Sequence, residues 1–393
     1  MIKTIIGRYL LFSVLGIEAL ILPYFLDKNT YAEVEFLKFT IFLMQFSLIG
    51  AATGFVVKAI DIKNEDNTNL AFTLLLGGML HAILASLLVY YFYSWEMALL
   101  CFLGVMALIF ESIAKVDEKY LLAMSFKPIF SLIVLIFLPL IYLFEISALK
   151  FVLITCVIAT FIYSSFILKF SFKSIGINGL PFDVRIKLNV YISYIRQGFM
   201  MNIATVMTFV FFYIDRLTIK NLYPELLPDY SLSFSIMQLT IVAITTFSYV
   251  NIISFGKEAN NIHLLEKKIV ASFKKCFLFY LIMGCFSIVF SFYAEKFYGY
   301  EQVFYTTTLM VTLFGLANVF SSLNSAHLYL GTVKVMSGFL FVALAISWSL
   351  NQVIFSSMEN AYYLLLAKTY GLFLVFSILS SAFIFYKLHL IKK

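Results

Sequence analysis

Charged side chains are scarce in this chain. Asp, Glu, Lys and Arg make up 12% of its 393 residues, about half the share a soluble domain carries. No polar stretch is long enough to fold alone, which excludes a separate water-soluble catalytic module. The sequence has no Gly-x-x-x-x-Gly-Lys-Ser/Thr loop, no His-Glu-x-x-His and no Gly-x-Ser-x-Gly. It therefore carries no Walker-type ATPase, no zinc hydrolase of that pattern and no nucleophile elbow. Clustered carboxylates suited to glycosyl or phosphoryl transfer are also missing, so the chain reads as a non-enzyme without a resident metal or cofactor. Its four cysteines, Cys101, Cys156, Cys276 and Cys285, lie in apolar runs without metal-ligand spacing and read as small core residues.

What fills the chain instead is hydrocarbon. Hydrophobic residues account for 62%, and the mean hydropathy is +0.97. About 20 apolar residues cross about 30 Å of lipid as a helix. Runs of that length recur at 6–25, 37–58, 69–93, 96–114, 127–145 and 148–168, and again at 193–213, 231–255, 270–293, 303–325, 335–355 and 361–386. They are continuous rather than alternating, so they predict helices and not a barrel. The expected fold is an all-α polytopic membrane protein with about twelve spans. The longest break, 169–192, holds Gly176, Gly179 and Pro181 and separates a six-helix bundle over 1–168 from a second over 193–393. Six is even, so both halves enter the membrane from one side. They are expected as parallel bundles around a central cavity.

The formal charge of +7 is distributed in a way that argues against nucleic acid. Twenty-one Lys and Arg fall in the breaks that share a side with both chain ends, six fall on the opposite side, and Lys368 lies within a span. That bias predicts both termini in the cytoplasm.

Ionisable residues deep in a span mark a pathway or a packing pair. Glu18 lies about 20 Å into the first span, Lys368 about 12 Å into the last, and His81 near the middle of the third. Glu18 and Lys368 either pair with one another or both face a hydrated cavity, and His81 reads as a hydrogen-bonded core histidine. Asp215-Arg216 closes the seventh span, as a helix cap and headgroup anchor or as a gate or phosphate contact at the outer mouth. Arg8 and Arg196 sit at the opposite ends of their spans, where a guanidinium either anchors in headgroups or clamps phosphate.

The segment Tyr194-Ile195-Arg196-Gln197-Gly198-Phe199 through Phe212-Tyr213-Ile214-Asp215-Arg216-Leu217-Thr218-Ile219, followed by Tyr230-Ser231-Leu232-Ser233-Phe234-Ser235-Ile236, resembles helices seven and eight of bacterial polysaccharide flippases. These are the Wzx-like O-antigen and capsule repeat-unit flippases of the multidrug/oligosaccharidyl-lipid/polysaccharide (MOP) exporter superfamily. Leu22-Pro23-Tyr24-Phe25-Leu26, the acidic turn from Tyr31 to Glu35, and Gly50 through Gly54 are similar to the same family. The chain departs from it in having Ala32 where the family often has Gly, and Asp229 in the matching turn before Tyr230.

The resemblance implies a flippase of the bacterial cytoplasmic membrane that moves undecaprenyl-pyrophosphate-linked oligosaccharide from the inner to the outer leaflet by alternating access. On that reading Arg8, Arg196, Arg216 and Lys368 are expected to attract the pyrophosphate or sugar and Asp215 and Tyr230 to form a gate, and the drive is expected to be an H+ or Na+ gradient coupled through Glu18, or the downstream removal of substrate. Partners implied are the lipid-linked oligosaccharide, the membrane, and the polymerase and chain-length machinery of the same pathway. The runner-up is a cation-coupled multidrug antiporter of the same fold. A polysaccharide polymerase ranks third, because the large periplasmic loop of that class is missing.

Overall fold

The computed structural model describes residues 2–61, 67–144, 146–172, 188–357 and 361–392, with the side chains of a minority of these, Arg8 and Gln45 among them, left out. Every regular element among the described residues is helical. Each expected span falls on one helix or on a broken pair. Among the described residues, eight helices are long and apolar enough to cross a membrane by length and composition, or nine if the bent pair Pro224–Val242 and Ile244–Gly256 is counted as one span. The protein is thus a multi-pass membrane protein. The expected twelve exceeds this number because three spans are short or interrupted.

Contacts divide the chain into unit 1, residues 1–203, and unit 2, residues 204–393. Unit 2 begins eleven residues after the expected start of the second bundle. Of the expected linker 169–192, residues 173–187 lie outside the described residues.

Unit 1 contains α1 (Ile2–Phe25), α2 (Lys28–Met44), α3 (Ala51–Asp61), α4 (Asn67–Phe92), α5 (Trp95–Val116), α6 (Tyr120–Ala123), α7 (Phe126–Phe137), α8 (Pro139–Phe144), α9 (Ala148–Ile167) and the start of α10 (Leu188–Leu222). Asp27 opens α2: its Oδ1 accepts the backbone N–H of Asn29 at 3.0 Å and of Thr30 at 3.1 Å, satisfying donors that a helix start leaves free. The expected second span breaks at Ile49-Gly50, both with positive φ (52° and 87°). The break brings α3 against α10 backbone to backbone. A Cβ on Gly54 would overlap the Tyr194 carbonyl, and one on Gly198 would overlap the Gly50 carbonyl. Gly50-x-x-x-Gly54 is the small-residue spacing that lets membrane helices approach this closely. Between α7 and α8 the interruption is Pro139, which lacks an N–H to continue the ladder.

Unit 2 contains the rest of α10, then α11 (Leu227–Gly256), α12 (Ile262–Tyr298), α13 (Val303–Leu309), α14 (Leu316–Ser321), α15 (Ala326–Tyr329), α16 (Val333–Ser357) and α17 (Ala361–Lys392). Asn261 caps α12 by accepting the Leu264 N–H at 3.2 Å, and Gly299 ends it in the left-handed conformation (φ 65°). Asp229, the departure noted above, accepts the N–H groups of Glu301 and Gln302 at 3.1 and 2.9 Å and so holds the approach to α13. At one end of the unit, Leu265 and Ile269 of α12 pack with Ile384 and Leu388 of α17, Phe255 and Leu323. Beside that core the fully buried His327 places Nδ1 2.7 Å from the Thr332 hydroxyl and Nε2 2.9 Å from that of Ser380.

The outward faces of α4 and α12 are apolar: Leu80, Leu84, Leu87 and Leu88 on the first, and Leu278, Ile282, Phe286 and Val289 on the second, are exposed. These are lipid-facing stripes. Cys285 lies on the second of them and is exposed, unlike the other three cysteines, which are buried as expected. Its apolar sequence surroundings report lipid and not protein core.

Candidate functional site

In unit 2, Asp215 and Arg216 are 2% and 3% exposed. They do not end their helix, because α10 continues to Leu222. The Asp215 carboxylate lies 3.5 Å from the Lys368 ammonium on α17. Lys368 also donates to the Asn351 side-chain carbonyl on α16, and the Thr369 hydroxyl donates to the second Asp215 oxygen. Thr369 is followed by Tyr370, whose hydroxyl is 3.3 Å from that of Tyr230 on α11. Tyr230 and Phe234, one helical turn apart, stack at 6.1 Å. The Arg216 guanidinium lies over both rings, 5.4 Å from the Tyr230 centroid and 4.7 Å from that of Phe234. Phe212 stacks on the other end of the network at Tyr370, 5.7 Å away.

The network therefore joins α10, α11, α16 and α17 through charge, hydrogen bonds and ring faces. An ion removed from water costs several kcal/mol, and only close pairing with further hydrogen bonds offsets this. Lys368 and Asp215 each have a further hydrogen bond, to Asn351 and from Thr369, but at 3.5 Å the ammonium offsets the buried Asp215 Oδ1 by charge alone, without a hydrogen bond to it. Arg216 places a weakly hydrated, flat cation against aromatic quadrupoles, which suits a guanidinium better than an ammonium. With Asp215, Arg216 and Lys368 ionised, the trio carries one positive charge more than negative.

Unit 1 holds a second buried cluster of opposite balance. Glu18 on α1 is 2% exposed, and its Oε1 is 2.8 Å from the Lys38 ammonium on α2. The same ammonium is 2.7 Å from Glu35 Oε1, three residues earlier on that helix. The Ser131 hydroxyl on α7 adds a hydrogen bond to Glu18. Two carboxylates thus share one lysine. His81 on α4 puts Nδ1 3.2 Å from the Tyr191 hydroxyl, a hydrogen-bonded position of the kind expected for it.

Of the residues singled out from sequence, the structure brings Asp215, Arg216, Tyr230 and Lys368 together in unit 2. Glu18 sits in unit 1, and neither it nor Lys368 needs the other, since each has a partner within its own unit. Arg196 is exposed near the start of α10, and the Arg8 side chain lies outside the described residues. Sequence reasoning did not single out Lys38, one of the six basic residues assigned to the side opposite the chain ends, nor Asn351, Thr369 and Tyr370. The i,i+3 spacing of Glu35 and Lys38 was the available signal for the first. Among the described residues, no group of three or more His, Cys, Asp or Glu is arranged to hold a metal ion.

No protein-family model matches the sequence, and no curated protein matches it. Solved structures do. An outward-facing multidrug resistance MATE family transporter of the MOP superfamily aligns with a TM-score of 0.70 and 15% identity over 100% of this chain and 96% of that one. An inward-facing MATE family transporter aligns at 0.66 and 13% identity over 97% and 95%. A MOP superfamily transporter from Pyrococcus furiosus, described as having a binding pocket of reversed polarity, aligns at 0.67 and 15% identity over 100% and 96%. The chain has the two-lobed helical fold of these transporters.

Proposed function

We propose that this chain is a secondary transporter that carries an amphipathic molecule across the membrane by alternating access. Its fold is one in which outward- and inward-facing forms have both been solved, and such forms are the end states that alternating access requires. For the substrate we favour a lipid-linked oligosaccharide with an anionic pyrophosphate head. The observation that carries this reading is the surplus positive charge of the Asp215–Arg216–Lys368 cluster. A charged headgroup cannot enter hydrocarbon unaided, and a planar guanidinium matches phosphate oxygens bidentately.

Cation-coupled export of an amphipathic drug is the second reading. Two of the solved neighbours are described as multidrug resistance transporters, so fold likeness supports it at least as directly. The two carboxylates around Lys38 add a negatively balanced cluster of the kind that could trade a cation. In both readings Glu18 is the coupling carboxylate and H+ or Na+ the coupling ion.

Proteoliposomes decide between them. Leaflet transfer of undecaprenyl-pyrophosphate-linked oligosaccharide by the reconstituted chain, lost in Arg216→Gln, supports the flippase. Efflux of a cationic dye without oligosaccharide transfer replaces it with the antiporter. If Glu18 couples, Glu18→Gln removes the gradient dependence of whichever substrate moves. Full transport by the unmutated chain at zero gradient removes coupling altogether.

A further inference from the structure

Helix α12 is longer than a membrane span needs. Its 37 residues extend about 55 Å, against about 30 Å of hydrocarbon. Its outward face shows where the lipid lies. From Lys275 to Lys296 that face is uncharged and exposed, through Leu278, Ile282, Cys285, Phe286, Val289 and Phe292. These two lysines are 21 residues apart, about 32 Å of helix, close to the hydrocarbon thickness. At the far boundary Lys296 folds back over the Phe292 ring at 4.2 Å.

At the near boundary the stripe does not end but changes chemistry. Lys274 and Lys275 are exposed one turn beyond Leu278, and Lys267 is exposed two turns further, at the i,i+7 spacing that keeps it above Lys274. The opposite face of these turns is committed to protein, with Leu265 and Ile269 packed against Ile384 and Leu388. The nearby carboxylates are occupied elsewhere: Glu266 pairs with Lys392, and Glu258 with Lys268 at 2.7 Å. Lys267, Lys274 and Lys275 therefore stand directly over the lipid that the rest of the same face touches. Their charge is not balanced by those carboxylates.

We propose that Lys267, Lys274 and Lys275 form a docking surface for acidic phospholipid headgroups of the adjoining leaflet. Charge complementarity and continuity with the lipid-facing stripe both select a lipid: a soluble acidic protein would meet the lysines from the water side, whereas the stripe aims them at the headgroup layer. Basic residues beside a span act on anionic headgroups within about a Debye length.

The test uses the full chain in phosphatidylcholine vesicles that carry spin-labelled phosphatidylglycerol or spin-labelled phosphatidylcholine. The expected result is a preference for phosphatidylglycerol at the protein surface of about threefold or more. It falls toward unity in Lys267→Gln/Lys274→Gln/Lys275→Gln and on raising salt. It persists in Lys150→Gln/Lys220→Gln/Lys296→Gln. Should the triple variant fail to fold, the three single variants each show a partial loss. Equal association of both lipids with the unmutated chain, or an undiminished preference in the variants, overturns the proposal. So does competition by soluble glycerophosphate as effective as that by the lipid. None of these outcomes bears on whether the chain flips oligosaccharide or exports drugs.

Discussion

Asp215 and Lys368 face each other across α10 and α17 at 3.5 Å, with side chains only 4% and 5% exposed. Removing one member strands the other in a low-dielectric interior. Lys368→Met alone and Asp215→Asn alone are each expected to destabilise by about 3–5 kcal/mol. The double variant should recover most of that loss, since removing both members leaves no stranded charge. Thermal denaturation in detergent checks the stability cycle. If the pair also serves transport, the double variant stays inactive in proteoliposomes despite its recovered melting temperature, and a double variant that transports normally makes the pair purely structural.

Arg216→Lys keeps the charge and loses the flat face. The expected cost is about 1–2 kcal/mol of stability. A cycle combining Arg216→Lys with Tyr230→Leu should show a coupling of about 1 kcal/mol, because the guanidinium and ring lie 5.4 Å apart. Additive single effects would show that the contact carries no energy.

Gly54→Ala and Gly198→Ala each drive a methyl group into the facing backbone, which has no flexible atoms to yield. Both are expected to abolish the folded chain, or to cost several kcal/mol, as overpacking of a close contact does. Gly338→Ala is the control: a Cβ there meets nothing within 4 Å, and replacing a mid-helix glycine by alanine is expected to be neutral or to stabilise by up to about 1 kcal/mol. Size-exclusion profiles and melting temperatures separate the two groups.

Asp27 tests a pH effect outside the lipid. Hydrogen bonds from Thr30, then the Thr30 and Asn29 backbone N–H groups, hold its carboxyl below the usual carboxylate range. The ionised form is the better cap, so its contribution is complete above the ordinary carboxylate pKa and fades as pH falls through the lowered one. Asp27→Ala should cost about 1 kcal/mol at neutral pH. Asp27→Asn should keep most of the cap and make its contribution insensitive to acid. A melting temperature for Asp27→Asn that tracks pH as the unmutated chain does would assign the acid response elsewhere.

Much of this architecture is legible from sequence because lipid imposes it: an apolar run of about 20 residues has few alternatives to a helix. Asp215, Arg216 and Lys368 stood out for the same reason, as charges where charge is expensive. Lys38 did not, because counting basic residues by side treats every lysine near a break as solvated, whereas this one is drawn in by Glu18 and Glu35. The ends of α10 and α12 were misplaced for a related reason. Hydropathy stops where the lipid stops, but backbone hydrogen bonding continues into water. The break at Gly50 depends on how closely α3 and α10 approach, and that is a property of the packed state.

The contact among Gly50, Gly54 and Gly198 also limits how this sequence can change over generations. Along the lipid-facing stripes of α4 and α12 any oily side chain serves, so mutational bias in the genome is free to trade Leu for Ile or Phe there without selection opposing it. Where backbone meets backbone there is no equivalent exchange. Substitution at any of these three glycines is therefore expected to cost the fold, whereas the oily residues of the stripes can be exchanged for one another.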